Sequence, residues 1–469
     1  MALNKFVKST GIYFVGNVLS KIVVFLLLPI YTSYIPPDSM GLYDTGVTVV
    51  TLFASMLFLD IGSVILKFTL EKECDNESTP ITNGGLIFIA SCAVYFFLVT
   101  VFSFFFRYEY FGWIIVYGFT YALNNAVGYV ARSLHHNTDY AAAGVIQTVL
   151  MVVINIVLLV GFGVDYKSLY ISFAASSILA TVYLLLRIRI HKFVGKRFID
   201  KAKFSEMLRF ALPLCVNSVA FWLLSSSGRI IVTYVLGPEA TGYLSIGNKF
   251  TQILYLVSNC VHLTWQEAAF THDNADESKK GFYSNVFVIY YKIVMFCVAG
   301  LILAIKVGLF IFPGFIDASY SSSIDLIPSA LIGTGLAIIS QFLGTVFSSL
   351  KKTTVVFLST LAGAVTTVST TFLFIALGCG PASANYSFIS GYVVAISVRI
   401  LLLKKYIGLK CKIQNLLWIL PVLLLAVYTY INLKVLFNII LGVVLIGIIP
   451  ILFKNELKAL GGKFNGRKG

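Results

Sequence analysis

Apolar segments of 18 or more residues recur along this chain from one end to the other. Each is long enough to cross the hydrocarbon core of a bilayer, roughly 30 Å thick, as an α-helix. A transmembrane β-barrel would instead show alternating polarity in segments of about ten residues. Charged residues make up 12% of the sequence, about half the fraction typical of soluble proteins, and the mean hydropathy is +0.90. The sequence therefore predicts an all-α, polytopic membrane protein.

The hydropathy pattern predicts about 14 transmembrane helices. The candidate spans lie near residues 10–34, 41–70, 80–106, 111–133, 140–163, 167–190, 210–236, 241–269, 283–312, 324–350, 354–378, 384–403, 415–433 and 435–453. The first apolar run is too long for the core of a signal peptide and lacks a small-residue cleavage site. We expect it to remain as the first span.

A short turn motif occurs twice between two spans. The motif Pro36–Gly41 recurs 201 positions later as Gly237–Gly242, and five residues after each copy there is another glycine. The recurrence predicts two related six-helix halves, and an even number of spans per half makes them parallel repeats. We predict an N-terminal bundle over 1–190, a basic connector over 191–209, a C-terminal bundle over 210–405, and an extra two-helix hairpin with a basic tail over 406–469.

Lysine and arginine in the short loops predict the orientation. If the N-terminus is cytoplasmic, nearly all basic loops fall on the cytoplasmic side, including the connector 191–209 and the tail 454–468. We therefore expect both termini in the cytoplasm and the two repeated turns on the outer side. The formal net charge of +15 then reflects contacts with anionic membrane lipids, and no nucleic-acid partner is expected.

No motif for catalysis or cofactor binding is present. The sequence lacks a phosphate-binding loop, a His-Glu-x-x-His zinc motif and a nucleophile elbow. The seven cysteines have no metal-ligand or redox spacing. We expect no enzymatic activity, no catalytic residue, no metal site and no cofactor. Because the chain would not hydrolyse ATP, transport would depend on an H⁺ or Na⁺ gradient or on the gradient of the substrate.

Charges within the predicted spans concentrate in spans one, two, seven and eight. A charge at mid-bilayer costs about 2.5–3.5 kcal/mol and is a functional candidate by default. Cations lie at Lys21, Arg229 and Lys249, and the other titratable positions are Asp44, Asp60, His262 and Glu267. These four spans are expected to line a central cavity.

Helical spacing places further polar residues on the same faces as the charges. They are Asn17 in span one, Thr48 and Thr51 in span two, Asn217 and Ser225 in span seven, and Gln252 in span eight. Such a stripe can also form hydrogen bonds across a dry helix interface, and that alternative stays open for the serines and threonines. Asp60 lies off the main face, where a role as interhelical partner is favoured. His262 is also off the face, and packing is favoured over proton transfer.

The three cations outnumber the nearby anions, and an excess of positive charge in a cavity favours an anionic ligand. Lysine and arginine bind phosphate oxygens through charge-assisted hydrogen bonds. We therefore predict that Lys21, Arg229 and Lys249 bind an anionic, phosphate-containing substrate.

Several short motifs occur in a fixed order: Pro29 late in span one, the turn from Pro37 to Tyr43, Asp60-Ile61-Gly62 ahead of Lys67, and Arg229 followed by the segment Gly237–Tyr243. In these motifs the chain resembles the polysaccharide-transport flippases of the multidrug/oligosaccharidyl-lipid/polysaccharide (MOP) exporter superfamily. Pro29, Gly41, Asp60 and Gly242 are expected to be structural.

The resemblance implies a bacterial inner-membrane protein that moves undecaprenyl-pyrophosphate-linked oligosaccharides to the outer leaflet by alternating access, for O-antigen, capsule or exopolysaccharide synthesis. It also implies a polysaccharide polymerase and a chain-length regulator as associated proteins, around a monomeric flippase. A peptidoglycan-precursor flippase and a cation-coupled multidrug exporter of the same superfamily are the alternatives. A membrane-embedded glycosyltransferase is disfavoured because the outer loops are short.

Overall fold

The computed structural model of the chain describes residues 25–71, 76–105, 108–256, 258, 265, 278–350, 352–407, 419–432 and 434–452. Four of the predicted site residues, Asn17, Lys21, His262 and Glu267, lie outside these ranges. Throughout the described ranges the regular secondary structure is helical.

Sixteen α-helices follow one another along the described chain. They are α1 (Leu28–Tyr34), α2 (Pro37–Leu57), α3 (Ile61–Thr69), α4 (Ser78–Phe105), α5 (Phe111–Ser133), α6 (Asn137–Ile156), α7 (Lys167–Ile188), α8 (Lys201–Leu236), α9 (Pro238–Lys249), α10 (Ser278–Ile311), α11 (Ser321–Ile324), α12 (Ile327–Ser349), α13 (Thr353–Ala376), α14 (Ala382–Ile407), α15 (Ile419–Asn432) and α16 (Val435–Leu452). A π-helical turn over Val157–Gly161 continues α6, and 3₁₀ turns lie at Ile190–Lys192, Lys196–Phe198 and Ala318–Tyr320.

Within the described ranges, nine helices are long and apolar enough to cross a bilayer. Two shorter apolar helices, α15 and the part of α16 over Val435–Ile448, follow near the end of the chain. The all-α, polytopic architecture is therefore confirmed, while the total of 14 spans stays a prediction.

The helices pack into two groups with a hairpin at one side. In the first group α7 packs against α5 and α6, while α2 and α3 pack on α5. In the second group α13 and α14 pack on each other and on α8, and α12 packs on α14. Helix α12 is the most enclosed of the span candidates, with 83% of its apolar window buried. Helices α15 and α16 pack against α10.

A buried arginine that the sequence analysis overlooked ties three helices of the second group together. Arg399 on α14 is 4% exposed. Its guanidinium donates to Ser340 Oγ on α12 at 2.8 Å and to the Ser340 carbonyl, and it reaches Ser359 Oγ and Thr360 Oγ1 on α13 at 2.9 Å each. All of these acceptors are neutral, so Arg399 joins α12, α13 and α14 through hydrogen bonds and not through an ion pair.

Both predicted turns are shorter than the sequence suggested. Helix α2 begins at Pro37 and helix α9 begins at Pro238, so most of each six-residue motif is the first turn of a helix. Proline suits that position because its missing N–H would be unpaired there in any case. Only Gly237, with φ of 95°, links α8 to α9, a conformation that favours glycine.

Two predicted boundaries also differ from the structure. Span seven was expected to start at 210, but α8 begins at Lys201, where the Asp200 carboxylate accepts from the N–H groups of Ala202 and Lys203 at 2.8 and 3.2 Å. Such an N-cap satisfies orphan donors of the first turn. Span two was expected to be one helix, but it is interrupted between Leu57 and Ile61. The predicted polar residues Asp44, Thr48 and Thr51 all lie on α2, ahead of this break.

Candidate functional site

Helices α2 and α9 cross in backbone contact beside the two repeated turns. A Cβ on Gly41 would lie 1.7 Å from the carbonyl oxygen of Pro238, and a Cβ on Gly242 would lie 1.8 Å from that of Pro37. Any side chain at either glycine would force the helices apart. We call this end of the bundle, where Ile35–Pro36 and Gly237 lie, the turn end.

Polar contacts between the two helix groups also close the turn end. The hydroxyl of Thr233 on α8 lies 2.9 Å from that of Thr45 on α2 and 2.7 Å from that of Thr241 on α9. The hydroxyl of Tyr320, which is fully buried, donates to the Ile35 carbonyl at 2.8 Å. These bonds join residues 188 and 285 positions apart, so they connect the two groups.

A polar cavity of about 250 Å³ lies beneath this closure. Asp44 of α2, Arg229 of α8 and Lys249 of α9 supply its charged groups. Its uncharged polar side chains come from α8, from α9 with the helical residues that follow it, and from α12, α13 and α14: Ser225, Ser245, Asn248, Thr251, Gln252, Tyr255, Thr334, Thr367 and Asn385. The cavity therefore lies mainly within the second helix group, with Asp44 as the contribution of α2.

Positive charge exceeds negative charge among the described side chains of the cavity. Arg229 Nη1 lies 3.4 Å from Asp44 Oδ2, and the two side chains are 30% and 17% exposed. Lys249 lines the same cavity, and no ion pair is recorded for it within the described part of the chain. Two cations facing one carboxylate leave a net charge of +1, which favours an anionic ligand.

Five of the predicted site residues come together in this cavity. They are Asp44, Ser225, Arg229, Lys249 and Gln252. Their common signal in the sequence is position: charged or hydrogen-bonding side chains within spans two, seven and eight, repeated at helical spacing.

Three other predicted polar residues do not line the cavity. The Thr48 carbonyl accepts from Trp222 Nε1 at 3.1 Å, and the Thr51 hydroxyl donates to the Val47 carbonyl at 2.8 Å. Asn217 lies on an exposed face of α8. The Thr51 bond stays within α2, and Thr48 contributes its backbone carbonyl to the contact with α8, so side-chain hydrogen bonding across the interface stays a prediction for both.

The cavity-lining residues on the later helices were not predicted from the sequence. Thr334, Thr367 and Asn385 each lie in a span with no charge beside them, so hydropathy gave no reason to single them out. Ser245 lies four residues before Lys249, a helical spacing that places it on the same face. Asn248 and Thr251, one residue before and two after Lys249, carry no such signal.

The residues predicted to be structural have distinct places in the fold. Pro29 lies in the first turn of α1. Gly41 and Gly242 form the close crossing described above. Asp60 lies in the break of span two and lines a second, smaller cavity with Ser55, Tyr121 and Asn125. In the part of the chain that the structure covers, no three His, Cys, Asp or Glu side chains converge as a metal site would require.

Solved structures of MOP-superfamily transporters share this fold. The lipid II flippase MurJ in an inward closed conformation superposes with a TM-score of 0.71 at 14% identity, covering 95% of this chain and 99% of that chain. An inward-facing multidrug resistance MATE family transporter gives 0.63 at 15% identity, covering 83% and 94%. A MOP superfamily transporter from Pyrococcus furiosus gives 0.55 at 14% identity, covering 86% and 96%. Identities this low establish similarity of fold.

A comparison with curated proteins gives no match. The family model described as polysaccharide biosynthesis protein matches residues 6–264, which is more than half of the chain and includes the crossing of α2 and α9 together with the charged residues of the cavity. The chain therefore belongs to the polysaccharide biosynthesis protein family and has the fold of the MOP-superfamily transporters.

Proposed function

We propose that this protein is a flippase that moves undecaprenyl-pyrophosphate-linked oligosaccharide units from the inner to the outer leaflet of the bacterial cytoplasmic membrane. The observation that carries the proposal is the net positive cavity around Arg229, Lys249 and Asp44, enclosed by helices of a multi-pass membrane protein. Membership of the polysaccharide biosynthesis family supports the substrate class.

The cavity is the proposed site of the pyrophosphate. Small-molecule pockets commonly hold roughly 300–1,000 Å³, so a cavity of about 250 Å³ suits a compact anionic group better than a whole oligosaccharide. Arg229 and Lys249 supply charged donors, and Asn248, Gln252 and Asn385 add neutral ones. The sugars would extend away from the turn end.

Transport is proposed to occur by alternating access between the two helix groups. We place the turn end on the periplasmic side because the basic loops predict cytoplasmic termini. The closed crossing at Gly41 and Gly242 then corresponds to a state that admits substrate from the cytoplasmic side. Opening requires α2 to separate from α9, while the other end of the bundle closes.

We also propose an energy source for transport and partner proteins. An H⁺ or Na⁺ gradient, or the substrate's own gradient, would supply the energy. The protein would act as a monomer, beside a polysaccharide polymerase and a chain-length regulator, during O-antigen, capsule or exopolysaccharide synthesis.

A peptidoglycan-precursor flippase is the second candidate. The similarity to MurJ in fold, which extends over 95% of this chain, favours it, and a cation-rich cavity also suits a lipid-linked pyrophosphate of that kind. A multidrug exporter for cations is disfavoured because such a substrate calls for a net acidic cavity, whereas the described side chains here sum to +1.

Deletion and complementation test the proposal. Cells that lack the protein should accumulate lipid-linked repeat units in the cytoplasmic leaflet and lose surface glycan, and the wild-type gene should reverse both. Accumulation of peptidoglycan precursor with growth arrest would instead support the second candidate. Unchanged surface glycan combined with altered dye resistance would refute both flippase proposals.

A further inference from the structure

Span two is interrupted by three non-helical residues. Helix α2 ends at Leu57 and α3 begins at Ile61. Between them Leu59 and Asp60 have φ of 54° and 45°, in the left-handed region that non-glycine residues seldom adopt, although aspartate is among the more tolerant. The N–H of Ile61 donates to the Phe58 carbonyl at 3.0 Å and not to the carbonyl four residues back. A broken helix leaves carbonyl oxygens without their helical partners.

A small cavity opens beside this break, separate from the cationic cavity. It has a volume of about 30 Å³, above the roughly 10–15 Å³ needed to hold one water-sized occupant. Its oxygen-bearing side chains are Ser55 of α2, Asp60 of the break, and Tyr121 and Asn125 of α5. Apolar groups such as Phe58, Ala122 and Ala126 form the rest of its wall.

Asp60 has no cation beside it in the described part of the chain. The neutral Ser63 side chain lies beside its carboxylate, and none of the ion pairs among the described residues includes Asp60. The titratable groups near it are Tyr121 of α5 and Cys215 of α8, and Tyr129 of α5 packs beside Gly62, two residues on. All three are uncharged near neutral pH. The neighbouring side of α4 presents Phe88 and Tyr95, which pack on Phe58.

Asp60 is partly buried, and a partly buried carboxylate whose described partners are all neutral is stabilised by a bound cation. One carboxylate together with neutral hydroxyl and amide oxygens balances a single positive charge. A divalent ion would leave an excess of +1 in a medium of low dielectric constant. Hard oxygen ligands select alkali and alkaline-earth ions over transition metals.

We propose that the interruption of span two is a Na⁺ site, formed by Asp60 with Ser55, Tyr121 and Asn125. Unwound helix segments in transporters commonly coordinate ions in this way. Residues of α2, α3 and α5 meet at the site, and α2 is also the helix that crosses α9 at the turn end. Ion occupancy therefore favours one angle between the two parts of span two, which links the site to opening of the turn end. This coupling rests on the proposed flippase function, whereas Na⁺ binding does not.

Binding can be tested on the full-length purified protein in lipid nanodiscs without any substrate. Thermal unfolding is followed while NaCl replaces choline chloride at constant ionic strength and pH, and ²²Na⁺ binding is measured in parallel. We expect a saturable rise in Tm with Na⁺ for the wild type, a loss of that rise and of ²²Na⁺ binding in Asp60→Asn, and at least a tenfold weaker apparent affinity in Asn125→Ala. Asparagine tolerates the left-handed conformation, so Asp60→Asn should fold.

Asp38→Asn is the matched control because Asp38 is exposed in the first turn of α2, the helix that ends at the break. It should respond to Na⁺ like the wild type. The proposal is overturned if the wild type shows no Na⁺ dependence, if Asp60→Asn retains it in full, or if only pH shifts the Tm, which would make Asp60 a protonated structural residue. Since no substrate is present, failure here leaves the flippase function untouched, and loss of glycan export in cells leaves Na⁺ binding untouched.

Discussion

Gly41 and Pro238 are in backbone contact, so close that a Cβ on the glycine would lie 1.7 Å from the proline carbonyl oxygen. The contact has a counterpart in Gly242 and Pro37, at 1.8 Å. Each residue of the second pair is the 201-position partner of a residue in the first. The turn end of the bundle is therefore closed at the point where the two repeats meet.

Enlarging either glycine should open the turn end. Gly41→Ala and Gly242→Ala force α2 and α9 apart, at a cost of about 1–3 kcal/mol typical of overpacking. In a background whose native cysteines are replaced, Ser245→Cys in the cavity should then react faster with a membrane-impermeant maleimide from the periplasmic side. Gly144→Ala on α6 is the control, because an added Cβ there would meet no packed neighbour within 4 Å. Equal labelling rates in all three variants would show that the crossing does not limit access.

The threonine chain should contribute to the same closure. Thr233→Val removes the hydroxyl that lies 2.9 Å from Thr45 and 2.7 Å from Thr241 while keeping the shape of the side chain. Each lost hydrogen bond is worth about 0.5–1.5 kcal/mol, so the closed state should become less populated and labelling of Ser245→Cys should rise. Thr233→Ser keeps the hydroxyl and should label like the parent protein. If the two variants label alike, the hydroxyl chain has no role in closure.

Asp44 should restrain anion binding through Arg229, which lies 3.4 Å away. Asp44→Asn removes the negative charge of the cavity and frees the guanidinium, so we expect tighter binding of inorganic pyrophosphate to the purified protein by calorimetry. A gain of about 1.4 kcal/mol corresponds to a tenfold lower Kd. Asp38→Asn makes the same charge change on an exposed position of α2 and should leave the Kd unchanged. Weaker binding in Asp44→Asn would contradict the assignment of the cavity to an anion.

Arg399 should be required for stability and not for substrate recognition. Arg399→Ala leaves the hydroxyls of Ser340, Ser359 and Thr360 without their charged donor, and hydrogen bonds to a charged group are worth about 1.5–3 kcal/mol each. We expect a lower Tm and less monodisperse protein by size-exclusion chromatography. Arg209→Ala, on the exposed face of α8, should behave like the wild type. A variant at Arg399 that is stable but has lost pyrophosphate binding would overturn this role.

The sequence pattern predicted those parts of the molecule that depend on length, hydropathy and repetition. The helical membrane architecture follows from apolar runs of sufficient length, and Arg229, Lys249 and Asp44 stood out because charge in a span is costly. The short link at Gly237 and the break at Leu59 and Asp60 depend on local backbone conformation, which hydropathy does not report. Thr334, Thr367 and Asn385 reach the cavity through tertiary packing and carry no local signal. Arg399 was overlooked because it lies near the basic end of its span, where a surface position is the usual expectation.

Arg229 and Lys249 are proposed to bind the pyrophosphate of a lipid-linked oligosaccharide during its transfer between leaflets. The most direct measurement is the rate at which purified protein in proteoliposomes moves a fluorescent undecaprenyl-pyrophosphate-linked oligosaccharide to the opposite leaflet, where a membrane-impermeant quencher reports its arrival. We predict transfer by the wild type and at least a tenfold slower rate for Arg229→Ala and for Lys249→Ala. Lys306→Ala is the control and should leave the rate unchanged. Lys306 lies on α10 outside the cavity, with its ammonium 5.0 Å from the centroid of the Tyr430 ring. Transfer at the wild-type rate by both cavity variants would exclude pyrophosphate binding by Arg229 and Lys249, and no transfer by the wild type would exclude the flippase function.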